Sequence, residues 1–497
     1  MQLVAYGAQD VYLTGNPQVT FFKVSYRRHT NFSMEAIAQT FNGTADFGRT
    51  VQTTLSRNGD LLGRTYLYIS LPSVKLATGD QFRWVNWVGH AALRSIDFEI
   101  GGQRIDRHYG DWLQIWYELT IPAGKKAGYA ALVGNVPALT QLYTGPAVVP
   151  SATLHVPLQF FFNRNIGQCL PLIALQYHET KITVAFREAN QVMYFVNGSG
   201  TTTVAPSLSS SGGDVQMWCD YIFLDTDERR RFAQASHEVL CEQLQFTGDE
   251  SLSAGSTSQK IKLSFNHPVK ELIWVVQKDD VVDPTNATVL SAIKGLQLWN
   301  YSTRADTTGF SGFISNGFDN GIVNTGASGV NSLFGSQLLT AASDVASSNA
   351  DGTYNSNFNW YANSNATGTV GGGVVGLLDL GLNPVLKAKL ILNGSDRFAE
   401  RNGQYFNLVQ PFQHHEATPA VGINVYSFAI TPETQQPSGT CNFSRIDQAI
   451  LSINLHPDTF ISQLNGYATV GAKLRVYAVN YNVLRIMSGM GGLAYAN

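Results

Sequence analysis

Charged side chains make up only 14% of this 497-residue chain, against about 25% in ordinary soluble domains. Much of the surface must therefore be uncharged polar, apolar or covered by neighbours, which points to assembly. Lys and Arg number 33 and Asp and Glu 36, a net charge of −3. No long-range positive field draws in DNA, RNA or an anionic membrane, so direct nucleic-acid binding is not expected. Cysteine is equally sparse: Cys169, Cys219, Cys241 and Cys441 fall singly, with no C-x-x-C pair and no zinc-finger histidine nearby. They form neither a disulfide framework nor a structural metal site, and read as reduced core residues of a cytosolic protein. No stretch approaches the ~20 apolar residues that span a bilayer. The opening MQLVAYGAQD lacks the basic and apolar regions of a secretory signal, so the N-x-S/T matches at Asn31, Asn42, Asn197, Asn286, Asn300, Asn365, Asn393 and Asn442 read as chance.

Catalytic patterns are missing too. G-x-S-x-G and the Walker-type phosphate loop do not occur. His414-His415-Glu416 has metal-ligand chemistry but not the H-E-x-x-H spacing, and neighbouring residues on a strand point to opposite faces. Tyr177-His178-Glu179 heads an alternating strand, where a satisfied structural histidine is expected. No catalytic, cofactor-binding or metal residue is assigned, no cofactor is implied, and the chain does not read as an enzyme.

What the chain does contain is β patterning. Ile96, Phe98 and Ile100 alternate with Asp97 and Glu99 before Gly101-Gly102, which reads as a hairpin over 95–107. The same alternation runs through 66–71, 181–186, 260–265 and 451–455. Helical spacing is rare: Trp112, Leu113, Trp116 and Leu119 predict one short helix and Arg229 to Leu244 another. Asp225, Asp227 and Glu228 ahead of Arg229, Arg230 and Arg231 place acids at a helix start, the arrangement the helix dipole favours. Single hydrophobic cores stop growing at roughly 250 to 300 residues, so two domains are expected. IGGQRIDRHYGDWL (100–113) and LNGSDRFAERNGQYFNL (392–408) share an order of features: strand end, glycine turn, arginines, glycine, aromatics. They predict a duplicated all-β unit. Between Asn300 and Gly376 the composition shifts to Gly, Ser, Asn and Thr with scattered aromatics, which reads as a surface excursion. The closing Gly489, Gly491 and Gly492 read as a tight turn.

Beyond these patterns, YGAQDVYLTGNPQVTFFKVSYRRHTNF (6–32) resembles the amino-terminal signature of major capsid proteins of nucleocytoplasmic large DNA viruses, of phycodnavirus, mimivirus-like or marseillevirus type. GDLLGRTYLYISLP (59–72), DWLQIWYELT (111–120), PLIALQYHETKI (171–182), DTDERRRFAQ (225–234) and FNHPVKELIW (265–274) extend the likeness. So do a long run over 409–447 and VYAVNYNVLRIMSGMGGLAY (476–495).

The resemblance implies an all-β double jelly roll: two tandem eight-stranded antiparallel rolls with a short helical connector. The expected division is an arm over 1–26, a first roll over 27–220, a connector over 221–245 and a second roll over 246–497, with the insertion at about 300–376. It further implies homotrimeric, pseudo-hexagonal capsomers tiling an icosahedral virion capsid, assembled in host cytoplasm. The partners implied are the chain itself, neighbouring capsomers, and minor capsid proteins and the inner membrane side through residues 1–26. The outward loops are left to meet a host surface or glycan. Phe21, Phe22 and Tyr26 are expected to anchor the arm to the first roll. Alternative roles on the same fold are a minor capsid or vertex protein and a glycan-binding jelly-roll protein, since fold alone does not fix function.

Overall fold

Strands whose alternate side chains are apolar pair so that one face of the sheet is buried, and two such sheets must then close on each other. The computed structural model of the chain describes residues 7–196, 214–283, 296–303, 323–325, 330–332, 383–461 and 469–495. Eight strands form the first unit: β1 (Phe32–Thr40), β2 (Thr50–Thr54), β3 (Leu61–Leu71), β4 (Leu93–Ile100), β5 (Gln103–His108), β6 (Ala152–Pro157), β7 (Thr180–Phe186) and β8 (Val215–Leu224). They pair in the orders β1-β8-β3-β6 and β2-β7-β4-β5, all antiparallel.

Eight more follow: β9 (His237–Leu252), β10 (Ser258–Leu263), β11 (Pro268–Lys278), β12 (Val385–Leu392), β13 (Ser395–Asp396), β14 (Ile423–Ser427), β15 (Ala449–Leu455) and β16 (Ala472–Met487). Their orders are β9-β16-β11-β14 and β10-β15-β12-β13, with Arg401–Asn402 also pairing on β12. Every index is shifted by eight. Each half is thus a jelly roll of two four-stranded sheets, and the chain is a double jelly roll. Additional short strands, among them a sheet of Gln81–Trp84, Tyr143–Thr144 and Met193–Val196, elaborate the first roll.

The local echo is structural. β4 and β12 each end in a turn with two left-handed residues, Gly101 and Gly102 at φ 58° and 81°, Asn393 and Gly394 at φ 49° and 82°. Such angles suit glycine and asparagine and match the twist of a two-residue hairpin. Each hairpin then leads to a glycine and a helical segment. At Gly110 a Cβ would sit 2.3 and 2.4 Å from the carbonyl oxygens of His90 and Leu93, and at Gly403 it would sit 1.8 Å from that of Val385. Leu93 and Val385 are the first residues of β4 and β12. The same close approach is therefore built twice.

Helix α1 (Gly110–Thr120) realises the spacing of Trp112, Leu113, Trp116 and Leu119; α2 (Ala123–Val133) follows it. The second expected helix is shorter than read. α3 spans Thr226–Gln234, whereas residues 237–245, expected in the connector, belong to the 16-residue strand β9. Cys241 and Gln243 are buried on alternate positions there and ladder pairing along β16 decides the conformation. Asp225 stands at the cap of α3, Asp227 and Glu228 lie in its first turn, and Arg229 reaches Asp60 at 2.8 Å.

Two further expectations change. Phe21, Phe22 and Tyr26 are 92%, 98% and 87% exposed, so they do not anchor the arm; residues 7–31 pair with no strand. The excursion was expected to begin at the surface with Asn300, yet residues 300–303 are buried beside Leu298 and Trp299. Trp299 donates its indole N–H to the carbonyl of Asn86 at 2.8 Å, because these apolar side chains fill a gap against the first roll. Apart from a small hairpin of Val323–Thr325 with Val330–Ser332, the remainder of 304–376 lies outside the described residues. The four cysteines are free thiols; Cys219 and Cys241 are buried, Cys169 and Cys441 half-buried.

Candidate functional site

The feature that turns two rolls into one unit is the seam between them, and its centre is α1. Leu113 and Tyr117 on one side of this helix belong to the first core. Trp112, Ile115, Trp116 and Leu119, at the spacing of one helical stripe, pack on Ile273, Val275, Tyr477 and Val479 of the second roll's β11 and β16. The Trp112 ring lies 5.5 Å from those of both Trp116 and Tyr477, and Tyr477 stacks on Phe246 at 4.8 Å. Helix and sheet thus share one apolar interface. The far end of the β9–β16 ladder also reaches the first core, through Cys241, Leu484 and Ile486.

Charges around this stripe are few and paired. Asp111 at the start of α1 lies 2.8 Å from Arg187 of the first roll and 3.4 Å from Arg475 on β16. Burial pushes the Asp111 carboxyl up, but the two guanidinium groups overcome it and hold it below the ordinary range. Arg475 also meets Asp249 at 2.8 Å. Glu242 on β9 receives Arg164 across the seam at 2.7 Å and, within the second roll, the fully buried Lys270 at 2.8 Å. The Arg164 guanidinium sits 4.1 Å over the Trp116 ring. Burial drags the Lys270 ammonium down despite Glu242 and Glu271, and its Nζ donates to the carbonyl of Pro432 at 2.6 Å. Gln243 donates to the carbonyl of Ile105, and the Leu244 amide to Asp106 at 3.0 Å.

The histidine motifs fall into this network. His414 ends the short helix Gln410–His414 instead of lying on a strand, and its Nδ1 meets the Ile430 carbonyl at 2.8 Å. His415 is buried between two carboxylates: Nδ1 donates to Glu433 Oε1 at 2.7 Å, and Nε2 lies 3.0 Å from Glu271 Oε2 as an ion pair without hydrogen-bond alignment. Burial lowers its basicity, yet Glu271 and Glu433 raise it to about 9. The ring is therefore an imidazolium with both nitrogens committed. Among the described residues no group of three His, Cys, Asp or Glu is placed to hold a metal. His178 Nδ1 meets the Gly491 carbonyl at 2.9 Å, beside the closing hairpin Met487–Met490.

Sequence reading did not single out Glu242, Lys270, Glu271 or Asp111. The only local sign was Lys270-Glu271, a charged pair directly ahead of the apolar run Leu272 to Val276, since buried charges occur almost only when paired.

Two like rolls, locked by an apolar seam and bridged by the ion pairs Arg164–Glu242 and Asp111–Arg475, define a structural building block. The profile of the large eukaryotic DNA virus major capsid protein matches residues 228–492, and that of the major capsid protein N-terminus matches residues 20–225. The chain is 50% identical to the major capsid protein of Phaeocystis pouchetii virus and 44% identical to that of Chrysochromulina ericina virus, covering 100% of this chain and 99% of each relative. A chain of the PBCV-1 virus capsid quasi-atomic model superposes with TM-score 0.65 at 34% identity, over 96% of this chain and 100% of that one. This chain belongs to the major capsid proteins of large eukaryotic DNA viruses. It is a structural component of the virion capsid and not an enzyme.

Proposed function

We propose that three copies of this chain close into a ring of six rolls, a pseudo-hexagonal capsomer that tiles an icosahedral shell. The observation that carries this reading is the repeat of strand order with every index shifted by eight. Six lobes of one topology from three chains satisfy a hexagonal lattice, while the inserted loops of the two rolls remain free to differ. The roll boundary is placed in α3. The exposed arm, with Tyr12, Phe21 and Phe22 more than 90% exposed, is assigned to minor capsid proteins and the inner membrane side, and the outward loops to a host surface or glycan. Four free thiols suit assembly in the reducing host cytoplasm.

Light scattering on purified protein tests the ring. The expected mass is three times 54.2 kDa, with hexagonal outlines in negative-stain class averages. A stable monomer or a two-fold particle overturns the reading.

A further inference from the structure

We infer that the helical segment 405–414 of one copy seats on the outer face of the β1-β8-β3-β6 sheet in the next copy, repeating between chains the contact that α1 makes within one. This rests on the trimeric reading and assigns its interface.

The donor side follows from the repeat. Gly110 and Gly403 make the same close approach to the first residue of β4 and β12. Counting from these glycines, Leu113 matches Phe406, each in its own roll's core. Gln114 matches Asn407, both buried and polar. Ile115, Trp116 and Leu119 then match Leu408, Val409 and Phe412. The first three are 0%, 6% and 0% exposed because the second roll covers them; the last three are 38%, 40% and 83% exposed. Pro411, which lacks an amide N–H, falls inside the segment, which begins as a π turn over Tyr405–Val409 and continues as Gln410–His414. The apolar strip nevertheless persists on the side away from the core.

The acceptor side follows from the pleat. α1 covers Ile273 on β11 and Tyr477 on β16, which face each other in the ladder and are buried. The strands in the same sheet positions of the first roll are β3 and β8. Their inward residues Leu67 and Cys219 are fully buried, as Leu272 and Ala478 are. The outward partners in register are Tyr66 and Trp218, followed by Tyr68, all half-buried. Further along this face, edge strand β1 presents Phe32 and Met34, 56% and 49% exposed. Among the described residues each copy therefore holds one satisfied helix-on-sheet contact and, for a second, an exposed apolar strip at Leu408, Val409 and Phe412 and a half-buried aromatic sheet face.

A contact of this kind is heterologous, and it forms either a ring or a filament. The internal seam already fixes the step from first roll to second. In the trimeric ring proposed above, a like step from second roll to the next first roll is the one that closes the ring.

Phe412→Lys tests the donor side. The residue is exposed in the single chain, so circular dichroism and the melting of the isolated chain are expected to match wild type while association weakens by at least about thirtyfold, as for loss of an aromatic anchor. A photoreactive benzoylphenylalanine at position 412 tests the acceptor side by mass spectrometry of the cross-linked particle. Links to peptides carrying Tyr66, Tyr68 or Trp218 of another copy support the assignment. A trimer that survives Phe412→Lys, or cross-links confined to other surfaces, overturns it while leaving the ring intact. A monomeric wild type sinks the ring itself.

Discussion

The Trp112 ring of the first roll lies 5.5 Å from the Tyr477 ring of the second, and both residues are buried to within 1%. Neither roll can turn against the other without opening this contact, since well-packed interfaces switch between discrete arrangements and do not deform continuously. The seam thus sets the angle that any ring of rolls inherits.

Trp112→Ala should cost about 3–5 kcal/mol, the range for removing a large buried aromatic. The lost contacts hold the rolls together, so the single unfolding transition expected of the wild type should separate into two in calorimetry. An unchanged melting profile would show that α1 contributes little to the coupling.

His415 predicts an alkaline limb of stability. Its folded value of about 9 lies above the ordinary 6.5, so the folded state binds the proton more tightly. The stabilisation is full below about pH 6.5 and is lost as pH rises through 9, on the order of 3 kcal/mol. Melting temperature should fall across that window in wild type and stay flat in His415→Gln. The variant should also be less stable at pH 6, because Glu271 then lies buried without its cation.

His90 predicts the opposite sign. Gln114 donates to Glu118 at 3.1 Å, so its Oε1 accepts from His90 Nδ1 at 2.9 Å, while Nε2 accepts from the Tyr129 hydroxyl at 3.0 Å. Burial outweighs the Gln114 bond and lowers this histidine to about 4. Its contribution is complete above pH 6.5 and disappears as pH falls towards 4. In His90→Gln the loss of stability between pH 6.5 and 4 should be visibly shallower than in wild type; equal slopes would refute a neutral His90.

Gly110→Ala and Gly403→Ala should each destabilise by about 1–3 kcal/mol or more, the cost of overpacking against backbone that cannot yield. Denaturant midpoints should drop for both. A neutral result at either position would mean that the repeat is not geometrically equivalent there.

Much of this architecture was legible before the fold. Period-two alternation located β4, β7, β10 and β15, glycine and asparagine marked the paired hairpin turns, and the likeness between 100–113 and 392–408 proved to be one hairpin-to-helix unit used twice. The limit of α3 was misread because the alternation of β9 begins only two residues after the helix ends, and strand formation there depends on β16, far along the chain. Phe21, Phe22 and Tyr26, expected from the resemblance to anchor the arm to the first roll, are instead exposed among the described residues.

The sequence by itself determined the strands, the turns and the duplication, because each rests on residues within a few positions of one another. Only the tertiary structure decided that His415 sits between Glu271 and Glu433, that Asp111 meets Arg475, and that Ile115 is covered while its counterpart Leu408 is not. Those outcomes depend on which distant surfaces the ladders bring together. Local periodicity carries no record of such pairings.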